Sequence, residues 1–386
     1  MSSSRIYLDS NATTRPLPAV CEAVAAVHDA TWGNASSLHA RGRDAARALS
    51  AARADVGAWL GASVTEVVFT SGGTEGDRLG VLGALAAAGD RRHIVCSSLE
   101  HPAIRALLRD APNQPWGAGV EVSWVRPEPD GALRAAAIKA ALRPDTALVA
   151  LHWANNETGV VQPVHEAAAT CREAGVPLLV DAVQAAGKLP VDFGALGAAL
   201  LVVSGHKVHG PKGVGALLVR SGARWKPPFP AAHEMGRRAG TEDVAAIAGF
   251  AAAARAVTED LEQAAARMAE ARDRFERVVI GALGDVTVNG TAERVPNTSN
   301  LGFRGLEADR LLALLDRNGV DASNGSACSA GSREQSHVLT AMGLSRRDIA
   351  TSLRFSLSRL TTDGDADRAA AIVIESVETL RRRARR

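Results

Sequence analysis

A lysine stands at the end of an apolar strand, in the stretch LVVSGHKVHGPKG at residues 201–213. Strands that open into glycine-rich loops are where α/β proteins bind their ligands. Lys207, flanked by Ser204 and His206, is therefore a candidate amine nucleophile. Lys212 competes for this role, but it lies further into the loop and is expected to be exposed. A surface position for Lys207 is the alternative that these residues leave open.

A glycine turn follows another apolar strand, in the stretch FTSGGTEGD at residues 69–77. A strand that runs through Gly73 and Thr74 into a helix directs backbone N–H groups and a hydroxyl at an anion. The GK[ST] ending of a P-loop is missing. The stretch predicts a phosphate cradle, and a simple tight turn is the alternative.

Three further strand ends carry polar side chains. In LLVDAVQAAG at 178–187, Asp181 is either a structural cap or the counter-ion of a protonated ring nitrogen, because a lone carboxylate after an apolar run is otherwise costly. Gln184, one turn further on, would reach a neighbouring oxygen. LEHPAI at 99–104 presents His101, for which a loop histidine is the alternative, and HWANNETG at 152–159 presents Asn155.

These polar groups gather at the strand ends of one predicted sheet. A phosphate cradle, a buried aspartate and a strand-end lysine together are typical of a pyridoxal phosphate site. Lys207 would form the Schiff base, and Asp181 would keep the pyridine nitrogen protonated. The phosphate would be held by Gly73, Thr74 and Ser204. No histidines have metal-binding spacing and HExxH is absent, so no metal is expected.

A cysteine lies in a stretch with no helical or strand period, ASNGSACSAGSREQSH at 322–337. Cys328 is either structural or a thiolate nucleophile on a loop that reaches the substrate. The strand-like stretch SLRFSLSRLT at 352–361 offers Arg354, whose natural use is a bidentate grip on a substrate carboxylate.

The elements that position these residues alternate between short apolar runs and alanine-rich helical stretches. Runs continuous in Val, Leu and Ile are typical of strands buried on both faces, so we predict a mostly parallel seven-stranded sheet covered by helices. The predicted strands are Glu66–Thr70, His93–Ser97, Glu121–Val125, Ala147–His152, Leu178–Asp181, Leu200–Ser204 and Gly215–Arg220. The predicted helices include Arg43–Leu60 and Val164–Ala174.

The pattern changes after a long helical stretch, Val244–Leu283, and predicts a smaller α+β domain. Its predicted strands are Val286–Asn289, Thr298–Phe303 and Leu353–Leu357, and its predicted helices are Glu307–Asn318 and Asp365–Arg383. We predict a large domain over residues 16–255 and a small domain formed by residues 1–15 and 256–386.

Composition excludes several classes of protein. The 44 basic and 42 acidic residues leave a net charge of +2, too close to neutral to require nucleic acid or a membrane as partner. No apolar run approaches the ~20 residues of a membrane span, and no export signal precedes the first strand. The four cysteines are far apart and form no CxxC pair, so we expect reduced thiols and a cytoplasmic location. We expect the basic stretch at residues 380–386 to be the solvated end of a helix, and a docking patch for an acidic partner is the alternative.

The chain resembles the pyridoxal-phosphate cysteine desulfurases of the NifS/IscS type, which have the class V aminotransferase fold. The similarity runs from YLDSNATT at 7–14 through WGNASSLHARG at 32–42 to RFSLSRLTT at 354–362. The most specific matches are SGHKVHGPKG, NNETGVVQP and GSACSAG. The resemblance implies the type I fold of pyridoxal-phosphate transferases, with its two domains.

The resemblance also implies roles for individual residues. His101 would stack on the cofactor ring and assist proton transfers, and Asn155 and Gln184 would bond the phenolic oxygen. The implied cofactor-binding residues are Gly73, Thr74, His101, Asn155, Asp181, Gln184, Ser204, His206, Lys207 and Thr241. Of these, Thr241 would reach in from the second subunit of a homodimer. The substrate would be bound by Asn34, Asn155 and Arg354.

The implied reaction converts L-cysteine to L-alanine, with the sulfur carried as a persulfide on Cys328 and passed to an acceptor protein. A selenocysteine lyase or another class V aminotransferase is the alternative, and a non-catalytic scaffold or direct nucleic-acid binder is not expected. Housekeeping members have an extension after the last helix that docks an iron–sulfur scaffold, whereas this sequence ends in RRRARR. The expected sulfur destination is therefore tRNA thiolation or DNA phosphorothioation, with iron–sulfur assembly as the other possibility. The sequence departs from the family pattern at Arg15, Arg78, Met235 and the run Phe229–Glu234.

Overall fold

The computed structural model describes residues 5–325 and 335–384. The strands within these residues are β1 Ile6–Tyr7, β2 Val67–Thr70, β3 His93–Ser97, β4 Glu121–Val125, β5 Thr146–His152, β6 Leu178–Asp181, β7 Leu200–Ser204, β8 Gly215–Val219, β9 Val286–Val288, β10 Thr298–Phe303, β11 Val320–Asp321 and β12 Ser352–Ser356. The helices within them are α1 Pro18–Ala30, α2 Ala40–Trp59, α3 Gly73–Ala87, α4 Pro102–Asp110, α5 Ala135–Ala141, α6 Val164–Glu173, α7 Phe193–Leu196, α8 Val244–Glu259, α9 Leu261–Leu283, α10 Ala308–Arg317, α11 His337–Ala341, α12 Arg346–Ile349 and α13 Asp363–Ala384.

The central sheet has seven strands in the order β2-β8-β7-β6-β5-β3-β4. Strand β8 runs antiparallel to both of its neighbours, and the other pairs are parallel. Strands such as β5, TALVALH, and β7, LLVVS, are buried at every residue because helices cover both faces of the sheet. This arrangement confirms the predicted, mostly parallel, helix-covered sheet.

Two apolar layers enclose the sheet. One layer packs helices α1, α2, α6 and α8 against one face, through side chains such as Val56 and Phe250. The other packs α3 and α4 against the opposite face, through side chains such as Val81 and Ile104. Helix α3 approaches β6 so closely that a Cβ atom on Gly80 would lie 2.1 Å from Cδ1 of Leu179.

A second apolar core lies among the C-terminal elements. It joins α9, α10 and α13 to the antiparallel sheet β12-β10-β9, with Phe275, Phe303 and Phe355 at its centre. Strand β1 pairs in parallel with β11, so the first described residues pack beside these elements. The predicted helical stretch at 244–283 is divided at Asp260, whose φ of −136° and ψ of 29° are not helical.

The carboxyl ends of the parallel strands meet at one edge of the central sheet. His152 at the end of β5 is the register partner of Asp181 at the end of β6, and β7 ends beside them at Ser204. The predicted functional residues that follow these strands lie at this edge. Among the described residues, no helix has the length and apolar character needed to cross a bilayer.

Candidate active site

A cavity at the carboxyl edge of the sheet brings most of the predicted site residues together. Those that line it are Gly73, Thr74, His101, Asp181, Gln184, Ser204, His206, Lys207 and Arg354. The lining also includes Asn11 and Ala12 of the N-terminal segment, and Asp77, His152 and Asn156.

Lys207 occupies the turn that immediately follows β7. Its Nζ donates hydrogen bonds to the backbone oxygens of Asn11, at 2.5 Å, and Ala12, at 2.8 Å. These carbonyls hold the amine at the cavity wall. Lys212 is exposed and does not line the cavity, as expected.

An anion cradle lies at the start of α3. Gly72 has a φ of +146°, a value that favours glycine, and a Cβ atom on Gly73 would lie 2.9 Å from Cγ2 of Val183. The hydroxyl of Ser204 faces this turn, is buried, and has no hydrogen-bond partner within the described residues. An unsatisfied buried hydroxyl beside a helix N-terminus is the arrangement that a phosphate group would complete.

Two buried carboxylates, those of Asp77 and Asp181, also line the cavity. Burial, followed by the negative charge of Glu100, raises the pKa of Asp181 to about 6. Burial and the charge of Asp181 likewise raise the pKa of Asp77 well above its usual value. Asp181 Oδ1 accepts a hydrogen bond from the backbone N–H of Val183 at 2.9 Å. A cation bound here, such as a protonated ring nitrogen, would offset this excess of negative charge.

His101 lines the cavity as a neutral imidazole. Burial, and then the positive charge of Lys207, lowers the pKa of His101 to about 4. Its Nδ1 accepts a hydrogen bond from the backbone N–H of Ala103 at 3.2 Å, as the N-cap of α4. Because Nδ1 is the acceptor, Nε2 carries the proton at neutral pH.

Arg354 is fully buried in β12 and reaches the cavity from the second core. Its Nη2 forms a 2.6 Å ion pair with Oδ1 of Asp9. Its Nη1 donates to the backbone oxygens of Asn156, at 3.0 Å, and Gly325, at 2.6 Å. Both Nη atoms are thus engaged within the chain, and Nε alone has no partner among the described residues, so the bidentate grip on a substrate carboxylate stays a prediction.

Asn155 lies next to the lining rather than in it. Its Oδ1 accepts hydrogen bonds from the backbone N–H groups of Glu157, at 2.9 Å, and Thr158, at 3.0 Å. The side chain therefore holds the turn after β5 and places its neighbour Asn156 at the cavity. Its contact with cofactor and substrate stays a prediction.

Two of the predicted residues do not line the cavity of the single chain, and a third cannot be placed. Asn34 and Thr241 are both exposed, and neither lines it. Cys328 lies outside the described residues. The roles expected for these three residues stay predictions.

The sequence reasoning missed a layer of residues that support the site. Lys188 is buried, and its Nζ donates to Oε1 of Gln184 at 2.8 Å. His152 is buried and also lines the cavity, with Nδ1 3.1 Å from Oε1 of Glu100. Lysine four residues after Gln184, in the otherwise apolar QAAGK, is the sequence signal that could have identified Lys188.

Comparison with known proteins identifies the family. The family profile described as aminotransferase class-V matches residues 6–369. The chain belongs to the class-V aminotransferases. A curated relative from Trichormus azollae, named cysteine desulfurase, is 43% identical to this chain over 380 residues. The match covers 98% of this chain and 94% of that protein. One named IscS-like cysteine desulfurase from Mycobacterium tuberculosis is 43% identical over 387 residues and 98% of both chains.

Solved structures agree with this assignment. A NifS-like protein superposes with a TM-score of 0.90 at 30% identity, covering 97% of this chain and all of that chain (100%). The class-V aminotransferases related to this chain depend on pyridoxal phosphate, and the cavity fits that cofactor. Its glycine cradle and unsatisfied Ser204 hydroxyl suit the phosphate, and the buried carboxylate of Asp181 suits the ring nitrogen.

Proposed function

We propose that this class-V aminotransferase is a cysteine desulfurase that converts L-cysteine to L-alanine and passes the sulfur, through Cys328, to an acceptor protein. One observation carries the proposal: the amine of Lys207, the unsatisfied hydroxyl of Ser204 and the carboxylate of Asp181 face a single cavity. The names of the curated relatives supply the reaction.

The cofactor would be held at both of its ends by residues of this chain. Lys207 would bind it covalently, and Gly73, Thr74 and Ser204 would hold its phosphate. Asp181 would stabilise the protonated ring nitrogen, which in turn would return the pKa of Asp181 toward its usual value. When bound, pyridoxal phosphate supplies an electron sink for the substrate.

The remaining residues would bind and cleave the substrate. Arg354 would hold its carboxylate through the free Nε donor, and His101 would move protons through Nε2. The Cys328 thiolate would attack the substrate sulfur, breaking the C–S bond and forming a persulfide. The electron pair of the broken bond would stay with the substrate carbon, which takes up a proton and leaves as alanine.

The proposal includes a homodimer in the cytoplasm. Asn34, predicted to bind substrate, lies in sequence between Trp32 and Leu38, two exposed large apolar side chains. Met235, another such side chain, precedes Thr241, the residue expected to reach a partner's site. Exposed apolar side chains beside both residues favour a covered surface there, and sedimentation equilibrium would give the mass of the assembly.

The test is the Cys328→Ala variant. Purified with pyridoxal phosphate, the unmodified protein should release alanine and sulfide in equal amounts from L-cysteine in the presence of dithiothreitol. Cys328→Ala should lose both products, by about a thousandfold or more since the nucleophile is gone, and keep the visible absorbance of the bound cofactor. Cys21→Ala, an exposed cysteine of α1, is the matched control and should keep full activity. Alanine formation by Cys328→Ala at the unmodified rate would refute the proposed role of the thiol.

A further inference from the structure

A second concave surface lies between the carboxyl end of β4 and helices α4, α11 and α12. Four arginines line it: Arg105 and Arg109 on α4, Arg126 after β4, and Arg346 on α12. Within the described residues its lining contains no carboxylate. We call this surface, defined by these four arginines, the arginine groove.

The arginine groove adjoins the active site. Gln335, which lines it, is the first described residue after the segment that contains Cys328. His337 also lines it and lies within 2.9 Å, through Nε2, of the backbone oxygen of Glu100, next to His101. Burial, and then the charge of Arg105, lowers the pKa of His337 to about 4.

Three of the four arginines carry positive charge that faces solvent. Arg109, Arg126 and Arg346 are exposed, and in the part of the chain described by the structure they form no ion pair. Since the whole chain carries a net charge of only +2, this charge is local. A local cationic concavity steers and retains an anionic partner.

We propose that the arginine groove docks an acidic surface of the sulfur-acceptor protein and so brings the acceptor thiol to Cys328. This inference rests on the proposed function. In the transfer, the acceptor thiolate would attack the outer sulfur of the Cys328 persulfide. The old S–S bond breaks, Cys328 leaves as a thiolate and the acceptor becomes the persulfide, so no oxidant or reductant is consumed.

A protein partner is favoured over nucleic acid by two features of the groove. Its aromatic side chain, Trp124, is half-buried and packs against the apolar layer that contains α3 and α4, so its ring is not a free stacking platform for a base. The chain is also close to neutral, with 44 basic and 42 acidic residues, whereas binding to a nucleic-acid backbone relies on an excess of basic residues.

The experiment uses short peptides as acceptors of the persulfide sulfur from the full-length, cofactor-loaded protein. The probes are six glutamates followed by cysteine, and six serines followed by cysteine. The test variant is Arg126→Glu/Arg346→Glu, which leaves α4 and the cavity untouched. The control, Arg277→Glu/Arg383→Glu, makes the same change of charge at two exposed arginines of α9 and α13.

The groove variant should lower kcat/KM for the glutamate peptide by about tenfold, because exposed ion pairs are each worth a factor of roughly two to five and two are reversed. The serine peptide and dithiothreitol should react at unchanged rates in all three proteins, and raising the salt concentration should abolish the preference of the unmodified protein for glutamate. If the groove and control variants react with the glutamate peptide at equal rates and keep normal activity with dithiothreitol, the docking role of the groove is refuted and the proposed function stands. If a hexathymidylate competes against the glutamate peptide better than hexaglutamate does, the partner is a nucleic acid and the proposal fails. No sulfide release with dithiothreitol would refute the proposed function and, with it, the acceptor role of the groove.

Discussion

At the scale of single residues, one backbone oxygen joins two side chains of the cavity. The carbonyl of Asn11 accepts hydrogen bonds from Nζ of Lys207, at 2.5 Å, and from Nε2 of Gln184, at 2.9 Å. The amide of Gln184 is itself oriented by Lys188, which donates to its Oε1. Burial, and then the charge of Lys207, lowers the pKa of Lys188 to about 7. The position of the Lys207 amine is thus linked by a chain of contacts to a second lysine.

A buried histidine links the stability of the protein to pH. Burial lowers the pKa of His209 to about 4, against 6.5 for an exposed histidine. Between these two pH values the unfolded chain binds one more proton at this residue than the folded protein does, so stability falls on acidification by up to about 1.4 kcal/mol per pH unit.

We therefore predict that His209→Asn makes the unfolding free energy less dependent on pH between pH 4 and pH 6.5. The slope should fall by the equivalent of about one bound proton. Asparagine suits the φ of +65° at this residue, and it can still donate to the backbone oxygen of Arg15. Denaturant titrations of both proteins at several pH values would measure the two slopes. Parallel slopes would show that His209 does not titrate as its burial implies.

The sequence was sufficient to find the site residues that follow strands, and insufficient for those that support them. Lys207, Asp181 and Ser204 could be placed because the carboxyl ends of parallel strands share one edge. Asp9 and Lys188 could not, since their roles come from tertiary contacts, and the Asp9–Arg354 pair joins residues 345 positions apart.

At the scale of elements, helix α3 joins the anion cradle to the sheet through glycines. Gly76 and Gly80 both face the sheet, and a Cβ atom on them would lie 2.8 Å from Val202 Cγ1 and 2.1 Å from Leu179 Cδ1. The glycines allow α3 to lie close to β6 and β7. This close approach sets the position of the first turn of α3 relative to Ser204.

We predict that Gly80→Ala destabilises the protein by about 1–3 kcal/mol, because the added methyl group overpacks the contact between α3 and β6. Gly281→Ala in α9 is the matched control. A Cβ atom there meets no atom within 4 Å, so the same substitution should stabilise the protein by about 0.5–1 kcal/mol through helix propensity. Guanidinium unfolding midpoints of the two variants should move in opposite directions, and movement in the same direction would contradict the close packing of α3.

The bounds of strands were predicted better than those of helices. The predictions His93–Ser97, Leu178–Asp181 and Leu200–Ser204 agree with the structure residue for residue, because apolar runs end where the chain leaves the core. Helix α2 begins three residues before its predicted start, since His39 caps it by accepting from the N–H of Gly42 and histidine is not among the favoured capping residues. The break at Asp260 has no glycine or proline to mark it.

At the scale of the whole molecule, the N-terminal segment joins the two cores. The backbone N–H of Asn11 donates to the hydroxyl of Ser356, at 2.9 Å, and its Nδ2 donates to that of Thr298, also at 2.9 Å. Its Oδ1 accepts from Nδ2 of Asn297 at 3.1 Å. Together with the bond from Lys207, these contacts connect the central sheet, the N-terminal segment and the antiparallel sheet. The domain boundary at residues 255 and 256 stays a prediction.

We predict that Asn11→Ala lowers the unfolding free energy by about 1–3 kcal/mol, because it leaves buried partners such as Asn297 without one of their hydrogen bonds. Asn324→Ala, which removes an exposed side chain bonded to Asp309, is the control and should change stability by less than about 0.5 kcal/mol. Chemical denaturation would compare the two, and indistinguishable midpoints would show that the Asn11 side chain does not hold the cores together.

The bond from Asn11 to Ser356 closes a loop of chain 345 residues long. During synthesis the ribosome releases the N-terminal segment first, and the central sheet can fold as its strands emerge. Residues 297, 298 and 356, which fix Asn11, are made long after it. The pocket around Lys207 therefore cannot be completed on a nascent chain until residue 356 has left the ribosome, although the central sheet is made earlier.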